Sequence, residues 1–315
     1  FTVWWQKKDG SVVPVCIGED ESDPVLCVTD LLIHLAGAQM DKKARVVVEG
    51  EDLDVLIGSR PLAEEAEDEP DAEAADGEKK DEKAKADKDA VKAGILKLLK
   101  ENYDVEEEDF LSAELEIVPA GVARDCGLDR SMIASYGQDD RVCAYTSLAA
   151  FLELKGIPQQ TCCCLLVDKE EIGSVGATGM RSHFFENTIA ELLNCMGQYS
   201  ELEVRRTLAA SKMLSSDVSA AYDPLYGSVF EKKNAAFFGR GLVFNKYTGS
   251  RGKSGSNDAN AEYMGWLRRV MDDSGVAFQT AELGRIDAGG GGTIAYITAL
   301  YGMDVIDSGV AVLSM

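Results

Sequence analysis

The chain has 315 residues, 45% of them hydrophobic, which is enough apolar material for one large domain or two ordinary domains. Its 32 lysines and arginines stand against 55 aspartates and glutamates, and the net charge of −23 disfavours binding to nucleic acid or to an anionic membrane. No apolar run approaches the roughly 20 residues that span a bilayer, and the first residues lack the layout of a secretory signal, so we expect a cytoplasmic protein.

The N-terminal part of the chain is predicted to be β-rich. Residues 1–17 form a predicted hairpin whose turn is Lys-Asp-Gly-Ser at residues 8–11. A short helix is predicted at residues 30–40, and residues 45–49 are predicted to be extended. Residues 62–92 are rich in Ala, Glu, Asp and Lys and lack an apolar stripe, so we interpret them as a mobile acidic insertion rather than a metal store.

Beyond the insertion, predicted helices and strands alternate. An apolar run at residues 161–167 predicts a buried strand, and helical patterns are found at residues 91–101, 141–154, 184–196, 259–274 and 294–301. This alternation indicates an α/β domain. The eight cysteines include no CxxC pair, which favours reduced, buried thiols over a disulfide framework or a zinc ribbon.

Glu170 and Glu171 come directly after the predicted strand at residues 161–167. The functional sites of α/β folds lie at this end of the strands. Adjacent side chains diverge on an extended segment, so one glutamate could bind a metal ion while the other acts as the base on a bridging water. The alternative is that both glutamates belong to a solvated acidic turn.

Further carboxylates lie at the edges of apolar elements. Asp139 and Asp140 precede the predicted helix at residue 141, where aspartate is also a favoured helix cap, and Asp217 is equally ambiguous when taken alone. Together with the glutamates they are the hard oxygen ligands that a pair of divalent ions would share. The only two histidines, His34 and His183, are distant in sequence from these carboxylates, which is unusual for a zinc site.

Four consecutive glycines at residues 289–292 precede the last predicted helix. Their backbone N–H groups and the positive helix end could bind a phosphate or a carboxylate. Neither a GxGxxG fingerprint nor a P-loop is present, so we interpret the run as a tight turn that allows close backbone approach.

Five segments, in this order, resemble the M18 family of metallo-aminopeptidases, the aspartyl aminopeptidase and aminopeptidase I group, and its bacterial branch in particular. They are GQDDRVCAY at residues 137–145, VDKEEIGS at 167–174, SSDVSAA at 215–221, KYTGSRGKSGS at 246–256 and GRIDAGGGGTI at 284–294. The resemblance covers nearly everything except the acidic insertion. It implies an α/β fold of zinc exopeptidase type, with a mixed central sheet flanked by helices and an inserted β-rich dimerisation domain.

The resemblance also implies domain bounds and an activity. Residues 1–112 would be the dimerisation domain and residues 113–315 a catalytic domain that we expect to be incomplete at both ends. The expected activity is a dinuclear zinc aminopeptidase that removes the N-terminal residue from peptides, with Mn or Co as possible replacements for zinc. Dimers would assemble into a dodecamer.

Residue roles follow from the same resemblance. Asp139 would bridge the two ions, with Asp140 as the near alternative, and Glu171 and Asp217 would each bind one ion. Glu170 would be the general base, and two histidine ligands are expected outside this chain. His34 would reach the partner's active site and help to hold the substrate carbonyl; the alternative is a helix histidine packed at an interface.

The substrate preference is left open by the sequence. Asn245 stands where members that prefer acidic residues are expected to carry a lysine, and Lys246 is one residue away, so a neutral or an acidic preference is possible. Asp287 and Gly291, in the last resembling segment, are further candidates for substrate binding. A related deacylase or carboxypeptidase would instead need a cationic pocket for a substrate carboxylate, and a non-catalytic scaffold would need no metal.

Overall fold

The structure is a computed structural model that describes residues 2–61, 78–251, 254–291 and 294–315, without the side chains of residues 78–89. The chain divides into two compact units, Phe1–Ala134 and Ser135–Met315. This division lies later than the domain boundary expected after residue 112, because the strand that follows that residue pairs within the first unit. The role of the first unit in dimerisation stays a prediction.

A three-stranded antiparallel sheet forms the core of the first unit. The predicted hairpin is confirmed, with β1 (Thr2–Gln6) paired to β2 (Val12–Cys16). A further strand, Ala113–Glu116, pairs with the other edge of β1. Val3 and Trp5 alternate with exposed residues on β1, so one face of the sheet is buried, as the period of a strand requires.

One long helix packs against this sheet. It spans Glu78–Tyr103 and includes residues 78–92, where the sequence analysis expected a mobile insertion; residues 62–77 lie outside the described residues. Ala, Glu and Lys are strong helix formers, and Leu99 and Tyr103 at the far end pack on the buried face of the hairpin. Tertiary packing of the last turns therefore supports a helix whose charged part has no apolar stripe of its own.

The region between the hairpin and the long helix has little regular structure. The predicted helix at residues 30–40 is broken into a 3₁₀ turn at Ile33–Leu35 and a single helical turn, Gly37–Met40. The prediction of extended structure at residues 45–49 is wrong, because a 3₁₀ turn occupies Ala44–Val46. Glycine lowers helix propensity, and the apolar side chains of Ile33 and Leu35 are exposed, so packing does not stabilise a longer helix here.

In chain order, the remaining strands of the first unit are β3 (Cys27–Val28), β4 (Val55–Leu56), β5 (Ala113–Glu116), β6 (Arg124–Cys126) and β7 (Met132–Ala134). Its two helices are α1 (Gly37–Met40) and α2 (Glu78–Tyr103). Strands β3 and β4 pair antiparallel with each other, as do β6 and β7.

The second unit contains a mixed sheet. Its strands are β8 (Lys212–Ser216), β9 (Ser219–Ala220), β10 (Leu242–Asn245), β11 (Phe278–Thr280), β12 (Asp304–Gly309) and β13 (Ala311–Val312). Four of them form a sheet in the order β11-β10-β12-β8, in which β10 is parallel to β11 and antiparallel to β12, and β12 is parallel to β8. The predicted mixed α/β architecture is confirmed.

Helices cover this sheet at positions close to those predicted. They are α3 (Gln138–Leu152), α4 (Phe184–Cys195), α5 (Glu201–Ala209), α6 (Ala261–Ser274) and α7 (Ala295–Ala299). Helix α6 begins where the Asn260 side chain accepts a hydrogen bond from the Tyr263 N–H, and it ends at Gly275 in the left-handed conformation. Helix α5 was not predicted, although Ser200 caps it by accepting from the Glu203 N–H.

The core of the second unit lies on both faces of β10. Phe244 and Ile306 pack with Tyr263 and Leu267 of α6, whereas Val243 points to the opposite face among small alanine side chains. This alternation follows from the period of a strand. The sheet is therefore buried on both faces at its centre. This packing holds the ends of the strands in place.

The apolar segment at residues 161–167 differs from its prediction. It has no ladder pairing; the bridge Asp168–Gly179 comes just after it, and Leu166 is 56% exposed. The prediction of a buried strand is wrong, because an apolar composition does not supply the neighbouring strand that a ladder needs. All eight cysteines are free, but only Cys143 is buried, so the prediction of buried thiols is mostly wrong. Among the described residues, none of the helices is both long and apolar enough to cross a bilayer.

Replacement of Leu267 by alanine tests the packing of α6 on the sheet. Leu267 is 2% exposed. Its loss leaves a cavity beside Phe244, so Leu267→Ala should reduce the free energy of unfolding by about 2–5 kcal/mol. Urea denaturation followed by circular dichroism measures this. The half-exposed Leu202 on α5 is the control: Leu202→Ala should cost much less, and equal losses would contradict the assignment of this core.

Candidate metal centre and substrate cavity

A cavity of about 1100 Å³ lies within the second unit. Seven of the residues singled out in the sequence line it: Asp139, Glu170, Glu171, Asp217, Asn245, Lys246 and Gly291. Asp287 is exposed and is not among the lining residues, so its role in substrate binding stays a prediction. His34 is an exposed residue of the first unit, and His183 lies exposed at the start of α4 beside Glu186.

Three carboxylates converge beside the cavity, and two of them, Asp139 and Asp217, line it. One oxygen each from Asp139, Asp140 and Asp217 can be chosen so that all lie within 4.8 Å of one another. Asp139 and Asp140 have non-helical backbone angles in the first turn of α3 and are joined by a cis peptide bond. Asp217 follows β8, where its N–H donates to the Ser308 carbonyl at 3.3 Å. A Cβ on Gly309 would lie 1.7 Å from the Asp217 carbonyl oxygen, so only glycine fits beside it.

Asp140 serves two purposes in this arrangement. Its carboxylate faces the Cys143 thiol and backbone N–H, in the manner of a helix cap. Burial raises the pKa of the Cys143 thiol to about 12, so this side chain stays protonated and can donate to Asp140. The other carboxylate oxygen, Oδ1, is buried and has no hydrogen-bond partner among the described residues. The cap and the ligand interpretations of Asp140 are therefore compatible.

Glu170 and Glu171 are held by a closed loop. They form a 3₁₀ turn with Ile172, flanked by Lys169 and Gly173 in the left-handed conformation. The Asp168 N–H donates to the Thr178 carbonyl at 3.1 Å, which closes the base of the loop. Glu170 is half-buried and Glu171 is exposed, so the two glutamates differ in environment, although they lie on a 3₁₀ turn and not on the extended segment that was predicted.

The charges in this cluster oppose each other. Burial and the carboxylates of Asp140, Asp139 and Glu170 raise the pKa of Asp217 to about 7. Burial, with the neighbouring Asp139, raises the pKa of Asp140 to about 6. Burial, with Glu171, Asp139 and Asp140, also raises the pKa of Glu170. A cluster of this kind is stable in its ionised form only when a positive charge is added.

The cluster fits a divalent cation. Its donors are hard carboxylate oxygens, which Zn²⁺, Mn²⁺ and related ions accept. The partnerless buried Oδ1 of Asp140 is the kind of atom that a metal would satisfy. Glu171 is outside the group of three converging carboxylates but lines the same cavity, so it could add a ligand from the exposed side.

The other end of the cavity contains a second group of charges. The Asn245 side chain donates to the Ala281 carbonyl at 2.8 Å and is buried, so it ties β10 to the segment after β11. The Lys246 ammonium lies 2.8 Å from Asp258. Glu282 also lines the cavity, and burial raises its pKa to about 7.

Close backbone contacts form one wall. The Gly249 N–H donates to the Gly291 carbonyl at 2.8 Å, and a Cβ on Gly290 would lie 2.3 Å from the Gly249 carbonyl oxygen. The tight-turn interpretation of the glycine run is supported up to Gly291, because residues 292 and 293 lie outside the described residues. This wall closes the cavity on the side of the glycine run.

Some residues of the site were given too little weight in the sequence or were missed. Asp140 was weighed only as an alternative to Asp139, whereas the structure brings both to Asp217. Glu282 and Asp258 were not considered at all. The position of Glu282, two residues after the strand β11, is the same kind of signal that selected Glu170, but three strand residues are too few to be recognised in a sequence.

A mixed α/β unit with a carboxylate cluster at the edge of its sheet is typical of metal-dependent hydrolases. The sequence profile of the family described as aminopeptidase I zinc metalloprotease (M18) matches residues 3–315. The probable M18 family aminopeptidase 1 of Clostridium acetobutylicum is 59% identical over 309 residues, covering 98% of this chain and 62% of that protein. Its counterpart in Thermotoga maritima is 41% identical over 310 residues, covering 98% of this chain and 63% of that protein.

Solved structures of three aminopeptidases are similar to this chain. The crystal structure of aminopeptidase I from Clostridium acetobutylicum has a TM-score of 0.83 at 57% identity, with 98% of this chain and 62% of that chain covered. The Thermotoga maritima M18 aminopeptidase has a TM-score of 0.84 at 39% identity, with 100% and 64% covered. The S. cerevisiae mApe1 dodecamer shares the fold, with a TM-score of 0.59 at 17% identity and with 100% and 62% covered.

The chain belongs to the M18 family of aminopeptidase I zinc metalloproteases, as the resemblance predicted. It spans about 62% of the length of the curated relative from Clostridium acetobutylicum.

The repulsion within the cluster predicts how the metal-free protein responds to pH. The folded-state pKa values of Asp217 and Asp140 lie above the ordinary aspartate value of 3.8, so between about pH 4 and 7 the folded state binds more protons than the unfolded state. The free energy of unfolding should therefore fall as pH rises through this window. Asp217→Asn should reduce this fall and raise the urea midpoint at pH 8 in the presence of a chelator. The exposed Asp272 of α6 is the control, and an Asp217→Asn profile as steep as the wild-type profile would contradict the prediction.

Proposed function

We propose that this protein is an aminopeptidase that hydrolyses the N-terminal residue from peptides with the help of two zinc ions. The observation that supports this most directly is the convergence of Asp139, Asp140 and Asp217 beside a cavity whose lining includes two of them, Asp139 and Asp217, together with Glu170 and Glu171. Family membership supports zinc as the metal. Mn or Co could replace it, because the same oxygen donors accept these ions.

Each carboxylate has a distinct proposed role. Asp139, with Asp140 as the alternative, would hold both ions, and Asp217 and Glu171 would hold one ion each. The two remaining ligands are proposed to be histidines outside this chain. When bound, the zinc ions stabilise negative charge on the scissile carbonyl oxygen and make water at the site more acidic.

Glu170 is the proposed general base. Its carboxylate takes a proton from the attacking water and later gives it to the amide nitrogen that leaves. A base for this purpose works best with a pKa near the operating pH, and the burial and neighbouring carboxylates of Glu170 shift its pKa upward in that direction. Glu171, which is exposed, lacks that environment.

The charges in the cavity favour a free amine as the substrate group. The carboxylate end attracts the ammonium group of a peptide N-terminus, and the wall formed by Gly249, Gly290 and Gly291 limits the cavity on one side. A deacylase or carboxypeptidase would need a cation for a substrate carboxylate. Among the described lining residues Lys246 is the only cationic side chain, and it is paired with Asp258.

Assembly is part of the proposal. The structure from S. cerevisiae is of a dodecamer, and we propose that this protein also forms homo-oligomers, built from dimers through the first unit. His34 is proposed to contribute to the partner's active site within such a dimer. Because of its acidic charge, we propose that the assembly acts in the cytoplasm on peptides and not on nucleic acid or membranes.

Replacement of Glu170 tests the proposed base. Glu170→Gln should reduce kcat by at least about 100-fold, because proton transfer by a positioned side chain contributes this much or more. The bound zinc, measured by mass spectrometry, should stay unchanged. Glu191→Gln, an exposed change on α4, is the matched control. Near-normal turnover by Glu170→Gln would show that Glu170 is not the general base.

Replacement of Asp217 tests the ligand set. Asp217→Ala should lose at least one of the two zinc ions per chain, since a cluster without this carboxylate offers fewer oxygen donors. The measurement is metal content after dialysis against a weak chelator. Asp272→Ala is the control, and an Asp217→Ala protein that retains full metal content would show that Asp217 is not a ligand.

A further inference from the structure

The lining of the cavity is strongly acidic. Seven carboxylate residues belong to it among the described residues, against the single cation Lys246: Asp139, Glu170, Glu171, Asp217, Asp258, Glu282 and Asp307. Two divalent ions would offset the group around Asp217. The group around Lys246 would keep an excess of negative charge, because it contains more carboxylates than cations.

The charge of Lys246 is already paired with a carboxylate of the protein. Its ammonium lies 2.8 Å from the Asp258 carboxylate and 4.1 Å from the centre of the Tyr247 ring. On its own, Lys246 would attract an acidic substrate side chain. Asp258 is 70% exposed and compensates this charge from the solvent side. An incoming aspartate would have to displace Asp258 and also approach Glu282.

Glu282 lies beside Lys246 at the edge of the sheet. Phe244 on β10 is level with Thr280 on β11, and the Ala281 N–H donates to the Phe244 carbonyl at 3.2 Å. Continuing this register by two residues places Glu282 level with Lys246. Burial raises the pKa of Glu282, whereas a hydrogen bond from the Tyr247 backbone N–H and the Lys246 cation lower it in part. No ion pair within 4.0 Å joins Glu282 to Lys246 among the described residues. Glu282 thus remains available to a ligand cation.

Apolar side chains line the same cavity as Glu282. They include Leu283, which follows Glu282 in the chain, and Ile286 and Met264. A lysine or arginine side chain presents an aliphatic stem and a charged tip, so it suits a cavity that offers both apolar side chains and a carboxylate. The strands β8 and β11 are three positions apart in the sheet, which places Glu282 roughly 14 Å from the segment carrying Asp217. Only a long substrate side chain could reach across this distance.

We propose that Glu282, together with the Lys246–Asp258 pair, forms a pocket that selects peptides beginning with lysine or arginine and rejects those beginning with aspartate or glutamate. This inference rests on the proposed aminopeptidase function and names its substrate class. Glu282 binds the cationic tip, while Asp258 keeps Lys246 from recruiting an acidic side chain.

The test compares kcat/KM for peptides that differ only in starting with lysine, leucine or aspartate, using the complete natural protein loaded with zinc. Wild type should prefer the lysyl peptide over the aspartyl peptide by about 100-fold, and Glu282→Gln should reduce this ratio by about tenfold, which corresponds to the loss of one charge contact. Asp258→Asn should raise kcat/KM for the aspartyl peptide, because it releases Lys246. The exposed Glu262 of α6 supplies the matched control, and Glu262→Gln should keep the wild-type ratio.

The outcomes separate two kinds of failure. Release from the leucyl peptide without a preference for lysine over aspartate overturns this inference and leaves the aminopeptidase proposal intact. An equal loss on all three peptides in Glu282→Gln also overturns it, since a general defect is not a change in selectivity. If zinc-loaded wild type releases no residue from any of the three peptides, the aminopeptidase proposal fails, and the inference fails with it.

Discussion

The partly buried carboxylates of Asp140 and Asp217 repel one another, and the surrounding fold has to hold them together against this repulsion. A pKa of about 7 for Asp217 in place of 3.8 corresponds to roughly 4 kcal/mol against its ionised form. That penalty is a large fraction of the stability of an ordinary domain. The rest of the second unit can therefore be understood as a rigid support for a cluster that is unfavourable without a bound cation.

The support comes from backbone features rather than from side-chain contacts within the cluster. The Ser308 carbonyl anchors Asp217 to β12, and the absence of a side chain at Gly309 allows its backbone to come this close. Cys143 holds one side of the Asp140 carboxylate, and the other oxygen, Oδ1, is buried without a hydrogen-bond partner among the described residues. The core around Phe244 and Ile306 keeps the strands in register, and through them the two aspartates. The protein supplies no cation of its own at this end of the described cavity lining. A bound metal ion would therefore reduce the repulsion between the ionised carboxylates.

Much of this architecture could be predicted from the sequence, and the failures have physical causes. The hairpin and the helix α6 have strong local signals: turn residues, an Asn cap and a terminal glycine. The prediction of a buried strand at residues 161–167 was wrong, because hydrophobicity predicts burial but not the presence of a strand to pair with. The helical state of residues 78–92 was not predicted, since a charged segment without an apolar stripe can be helical when its continuation packs on a sheet.

The candidate site shows the same division between local and long-range information. Asp139, Glu170 and Asp217 were selected because each adjoins an apolar element, and the structure places all three in one cavity. The roles assigned to them stay predictions. Glu282 could not be found in this way, because its position depends on the pairing of β10 with β11, which joins residues about 36 positions apart in the chain.

Negative charge is balanced in different ways at the two ends of the cavity. Around Asp217 the carboxylates outnumber any cation of the described chain, so an external ion has to complete the site. Around Lys246 the protein provides its own cation but surrounds it with Asp258 and Glu282, so the net charge stays negative. A peptide with a cationic first residue would bring positive charge to this second end, just as a metal brings it to the first. Substrate and metal would then be bound for the same electrostatic reason. Each would bind at a place where the carboxylates of the protein outnumber its cations.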